Sequence, residues 1–246
     1  TFLGTGSLAA GTVTNDGSIT LAGGAASTGT VQNNAAGTIV FGSVAGATWT
    51  VVGNFTSSGS VTNNSVNTIS VSGDLTISGI FDGTTTNSTL EMTGTSDVFA
   101  YDGTDPIPLG NLIINSSGIV SFTSDCTFDG DITIQAGTLA SGNKTIKIAG
   151  NWTNSTGVIT AFSPGSGIVE FTNPSEAVVS GPNEWYNLRY NQPGGRIRFQ
   201  RNNTQRIIAG GTFQAIGTDD ANRVTITRDN SGDDDYDLDW ILPAQP

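Results

Sequence analysis

The side chains best suited to chemistry gather near the end of the chain. The run Asp229-Asn230-Ser231-Gly232-Asp233-Asp234-Asp235-Tyr236-Asp237-Leu238-Asp239 places six carboxylates around one glycine. Dense carboxylates on a tight loop are what Ca²⁺ requires, which makes Asp229, Asp233, Asp235 and Asp237 the candidate ligands and calcium the candidate cofactor. The spacing is not that of an EF-hand loop. The alternative for residues 229–246 is a solvated acidic tail or linker.

A second group is Arg189, Arg196, Arg198, Arg201 and Arg206, interleaved with Trp185, Tyr186, Tyr190 and Phe199. Guanidinium and aromatic groups together suit stacking on a carbohydrate or docking of an acidic segment. Arg189, Arg196, Arg198, Arg201, Trp185 and Tyr190 are therefore expected to form an interface. Its preferred partner is the acidic stretch of a neighbouring copy, through complementary charge, and such an assembly should be lost in high salt.

Paired carboxylates are the remaining possibility for catalysis, since glycoside hydrolysis needs only two of them. Asp129 with Asp131, and Glu91 with Glu170, are the candidates. Their local sequences recur along the chain, which fits solvated turns better than a unique acid/base pair. Histidine is absent, so Ser-His-Asp and Cys-His arrangements are impossible and the commonest general base is missing. No Gly-rich phosphate loop with its lysine occurs. Cys126 is the only cysteine, and among Val, Ile and Phe it reads as a small buried hydrophobe. The chain is not expected to be an enzyme.

Charge narrows the partners. The formal charge is −12, and residues 1–143 hold ten acidic residues with no Lys or Arg. Nucleic acid needs clustered basic residues, so it is not an expected partner. An anionic membrane surface would repel most of this chain, and no stretch approaches the roughly 20 apolar residues of a spanning helix. The first residue, Thr1, is neither an initiator Met nor the start of a signal peptide, which suggests a processed protein or a fragment of a longer one.

The elements that must position these residues are strands. Charged residues make up only 12% of the chain and there are 33 glycines, alongside abundant Thr, Ser, Asn, Val and Ile. That is a vocabulary of strands and tight corners. Runs such as Thr145-Ile146-Lys147-Ile148 alternate with period two. A motif of Gly, then Asn or Asp, then an apolar residue and Thr begins at Gly53, Gly73, Gly130 and Gly150. The first two copies lie 20 residues apart, as do the last two. A longer unit repeats over it: Leu90-Glu91-Met92-Thr93 is echoed by Val169-Glu170-Phe171-Thr172, and Asn111-Leu112 by Asn187-Leu188.

A fixed period near 20 residues is the mark of a solenoid whose coils stack on one another. A β-sandwich, the alternative for many short strands, does not account for the repeated spacing. The runs Thr12-Val13-Thr14-Asn15-Asp16, Thr30-Val31-Gln32-Asn33-Asn34 and Ser60-Val61-Thr62-Asn63-Asn64 each place a short strand before an Asn-containing corner, and these Asn side chains are expected to form hydrogen-bonded ladders between coils. At about 20 residues per coil the chain makes about twelve coils, a rod on the order of 55–60 Å long at ~4.8 Å per coil.

The run Gly11-Thr12-Val13-Thr14-Asn15-Asp16-Gly17-Ser18-Ile19-Thr20-Leu21, the run Gly150-Asn151-Trp152-Thr153-Asn154-Ser155 and the paired Asn-Leu elements resemble right-handed parallel β-helix repeats of large bacterial surface proteins. Filamentous-haemagglutinin-like adhesins and autotransporter passengers are the nearest comparisons. The resemblance implies an extracellular or cell-surface scaffold and carries over no catalytic residue. The expectation is an all-β, single-stranded right-handed parallel β-helix over residues 1–228 with an acidic tail at 229–246. It would act as a structural building block that self-associates into a filament, layer or matrix. An adhesin that binds a glycan is the alternative, and a polysaccharide-degrading enzyme a minor one.

Overall fold

The computed structural model describes residues 8–21, 25–41, 46–63, 65–82, 88–101, 109–217, 225–228 and 240–241. They form a parallel β-solenoid of about nine turns with ~21 residues per coil. Three faces recur in each turn. In one N-terminal coil they are Thr48–Val51, Phe55–Ser57 and Ser60–Thr62, and each pairs in parallel with its counterparts in adjacent coils. Among the described residues the only helical element is a 3₁₀ turn, Ile159–Ala161.

Period-two alternation sends every second side chain inward. Thr48–Val51 buries Trp49 and Val51 while Thr48 and Thr50 face out, and Thr89–Met92 repeats the pattern with Leu90 and Met92. Stacking then aligns like with like. Ala26, Trp49, Ile69, Leu90, Leu112, Ile132, Trp152, Val179 and Phe199 are successive rungs of one interior rank, and all are buried. Burial of such ranks on every face is the main source of stability, because each coil removes apolar surface from water on both its neighbours.

The number of coils is smaller than a constant 20-residue period implies. Ala26 and Trp49 are neighbours in register across 23 residues, and Trp152 and Val179 across 27. In the second case the additional residues include the 3₁₀ turn, which lengthens one coil without adding another. About nine coils at ~4.8 Å make a rod of roughly 40–45 Å.

The recurrent Gly-Asn/Asp motif is a corner device. The Oδ1 of Asn54 accepts the backbone N–H of Asp74 at 3.0 Å, and the Oδ1 of Asp74 accepts that of Val98 at 2.9 Å. The same relay runs from Asn111 to Asp131 at 2.8 Å, from Asp131 to Asn151 at 2.7 Å and from Asn151 to Val178 at 2.9 Å. A short side chain ending in an acceptor oxygen supplies what the next coil's corner amide lacks. The preceding glycine is required by contact: a Cβ on Gly73 would stand 2.8 Å from the carbonyl oxygen of Gly53.

The expected asparagine ladder is present inside the N-terminal coils. Asn15 Nδ2 donates to Asn33 Oδ1 at 2.7 Å, and Asn33 Nδ2 donates to Ser57 Oγ at 3.0 Å. The ladder stops where Ile77 takes the next rung. Asn63 is also buried, and its Nδ2 donates to the carbonyl of Asn67 within its own coil at 3.3 Å.

Candidate functional site

The acidic run proposed for calcium, including Asp229, Asp233, Asp235 and Asp237, lies outside the described residues. Trp240–Ile241, just beyond it, pairs in parallel with Gln205 and Arg206, so a strand of the solenoid lies inside the stretch read as a tail. Among the described residues no group of three potential ligands is placed to hold a metal.

Two of the residues assigned to an interface are core residues. Trp185 and Tyr190 are fully buried. The strand Asn183–Tyr190 changes register between Trp185 and Asn187, which turns Trp185, Leu188 and Tyr190 all inward. No aromatic platform is formed by them at the surface. The Tyr190 hydroxyl donates to the carbonyl of Asn173 at 2.6 Å, and burial raises its pKa.

Arg189, Arg196, Arg198 and Arg206 lie over glutamates of the preceding coil. Glu170 is in register with Arg189, Glu176 with Arg196, and Glu184 with Arg206. Each of these pairs forms an ion pair, and Glu176 also takes Arg198 at 3.0 Å. Partly exposed pairs contribute only about 0.2–1 kcal/mol each. As a set they favour one register, because a slip of one coil on the next would break the pairs across that junction. The signal was in the sequence: Glu176 and Arg196 are one coil apart.

Burial alone would raise the Glu176 carboxyl, but hydrogen bonds and charge from Arg198 and Arg196 hold it below the usual carboxylate range. A carboxylate with a depressed folded pKa stabilises the fold above its unfolded value, and loses that contribution as pH falls through the folded value. Glu176→Gln should therefore lower the thermal midpoint at neutral pH, with the difference closing below about pH 4. Melting curves of both proteins between neutral and acidic pH check this; a difference independent of pH would contradict it.

The carboxylate pairs are not assembled for joint chemistry. Glu91 is in register with Ser70 and Ile113, and its Oε1 accepts from Asn115 Nδ2 at 3.0 Å. Glu170 belongs to a different sheet and is held by Arg189 at 2.9 Å. Asp131 serves the corner relay, taking both the backbone N–H and the Nδ2 of Asn151 on one oxygen. Asp129 is half-buried, and burial raises its pKa. Cys126 is buried as expected, and burial pushes its thiol up to about 12, which makes it inert at neutral pH.

Sequence reasoning did not find the concave surface of the rod. A cleft of about 1070 Å³ runs beside the rank Thr127, Lys147, Glu170 and Arg189, which are successive rungs of one sheet. Its floor extends back to Thr76 and Ala100 and includes Thr123, Ser124 and Lys144. Both lysines of the chain line it. Only coil register brings together residues more than a hundred positions apart. Comparison with protein-family models, with characterised proteins and with solved structures gave no match.

Proposed function

We propose that this chain is an extracellular structural protein, a β-solenoid building block of a surface layer, filament or matrix assembled through contacts between copies. The observation that carries the reading is the stack itself: each described strand pairs in parallel with its counterpart one coil away. Such stacking leaves strand backbone at the ends of a solenoid, a template for a strand of another copy. The resemblance to filamentous adhesins and autotransporter passengers fits the same setting.

The internal structure suits that role. Asn and Asp side chains at the corners, and Glu and Arg side chains on the later coils, join one coil to the next. Because Arg189, Arg196, Arg198 and Arg206 have glutamate partners of their own, edge pairing is a better basis for assembly than docking of an acidic segment on the Arg stretch. Assembly should then survive high salt. Electron microscopy of the purified protein is the test: particles longer than a single rod support the proposal, and single rods at every concentration overturn it. The cleft favours a second reading, in which the rod also carries a ligand surface, as an adhesin or carbohydrate-binding module does.

A further inference from the structure

We infer that the cleft along Thr127, Lys147, Glu170 and Arg189 binds an extended acidic polysaccharide. The inference rests on the ligand-surface reading and is independent of assembly.

Charge is the first reason. The chain carries −12 overall and has no basic residue before Lys144, so an anionic ligand is repelled over most of the rod. At the cleft, Lys144, Lys147 and Arg189 come together against Asp125 and Glu170. Glu170 is buried and binds Arg189 at 2.9 Å, and Asp125 is exposed and accepts the N–H of Thr145 at 2.8 Å, so the three cations exceed the two carboxylates by one charge. Among the described residues neither lysine forms an ion pair. Lys147 is exposed and Lys144 half-exposed, so two ammonium groups are presented on a single coil. Glu170 fixes the Arg189 guanidinium beside them.

Shape is the second reason. The lining residues come from successive coils, with Thr76, Ala100, Thr123, Lys147, Glu170 and Arg189 marking the steps. At ~4.8 Å per coil the cleft runs about 24 Å along the axis. That length fits a chain better than a small molecule.

The lining itself separates a polysaccharide from an acidic peptide. Hydroxyls of Thr76, Ser78, Thr123, Ser124, Thr127 and Thr145 line the cleft. Ser78 and Thr123 donate to backbone carbonyls and keep acceptor lone pairs, and Ser124 accepts a backbone N–H and keeps its donor, so the row offers the mix of donors and acceptors that sugar hydroxyls require. Ile168, half-exposed, is the one large aliphatic residue among those lining it that is not buried, so peptide side chains would find little apolar seat. The ligand's carboxylate or sulfate groups would meet Lys144 and Lys147, and its hydroxyls the Ser and Thr rank.

Titration calorimetry of the full chain against polygalacturonate, dextran sulfate and neutral dextran tests the site, with a peptide of residues 229–239 as a fourth probe. Binding of one or both anionic polymers is expected, weakening steeply with salt. The first two arms tell carboxylate from sulfate. Lys144→Gln/Lys147→Gln should weaken binding by about tenfold or more, the equivalent of one charge-assisted hydrogen bond. Both lysines lie outside the core, and an unchanged circular dichroism spectrum and melting curve would establish that the variant folds. Anionic binding unaffected by the double variant would overturn the site. Binding of neutral dextran alone, weakened by the variant, would overturn the acidic class and leave the carbohydrate reading standing. Binding of the peptide alone, or of none of the four, would overturn both.

Discussion

Replacing Trp185 with alanine is expected to destabilise the solenoid by about 3–5 kcal/mol, the range for removing a buried aromatic side chain. Its ring lies 5.1 Å from that of Trp152 and 5.4 Å from that of Phe162, centroid to centroid, so the deletion opens a cavity shared by neighbouring coils. A polar loss adds to it. Trp185 Nε1 donates to Gln205 Oε1 at 2.9 Å, Gln205 Nε2 donates to the carbonyl of Gly181 at 2.7 Å, and Trp152 Nε1 donates to Asn183 Oδ1 at 2.8 Å. These buried amides and indoles join three successive coils inside the core. Trp185→Phe keeps most of the apolar volume but removes the indole donor from Gln205, and should cost less, about 1–3 kcal/mol. Denaturant unfolding of the three proteins checks the order. Equal stability of Trp185→Phe and wild type would mean that the buried amide chain contributes nothing.

Gly130→Ala is expected to cost about 1–3 kcal/mol by overpacking. The three nearest atoms its Cβ would meet belong to Asn111 in the adjacent coil, including Cγ at 2.8 Å and the backbone nitrogen at 2.9 Å. Asn111 is also the residue whose Oδ1 accepts the N–H of Asp131. The two positions form one contact across the stack, and their effects should not add. Asn111→Ala removes the corner bond and also clears part of the space for the new methyl, so the double variant should lose less stability than the single variants together. Strict additivity in a double-mutant cycle would contradict the stacking of these corners.

The solenoid was legible in the sequence because its cause is local and repeated. Several coils use the same glycine at a close approach with a short acceptor side chain beside it, and Gly53, Gly73, Gly130 and Gly150 record that device at a recurrent spacing. The count of coils was not legible, since a coil that detours through residues 156–161 differs in length from its neighbours without any change in the motif. Trp185 and Tyr190 were misplaced for a related reason. Composition marks an aromatic beside an arginine as a surface pair, whereas the face it takes depends on register, and the irregularity between Trp185 and Asn187 shifts that register by an amount the residue types do not reveal. The Glu and Arg coils could have been matched from their spacing. The cleft could not, because it depends on which faces are concave.

The most direct test of the structural role is negative-stain electron microscopy of the purified protein over a range of concentration, in low and high salt. End-to-end pairing of open strand edges predicts filaments or stacked rods well beyond the roughly 40–45 Å of one copy, in register along a common axis and persisting in high salt. Isolated rods of single-copy length under every condition would contradict the account and leave a monomeric, ligand-binding solenoid in its place.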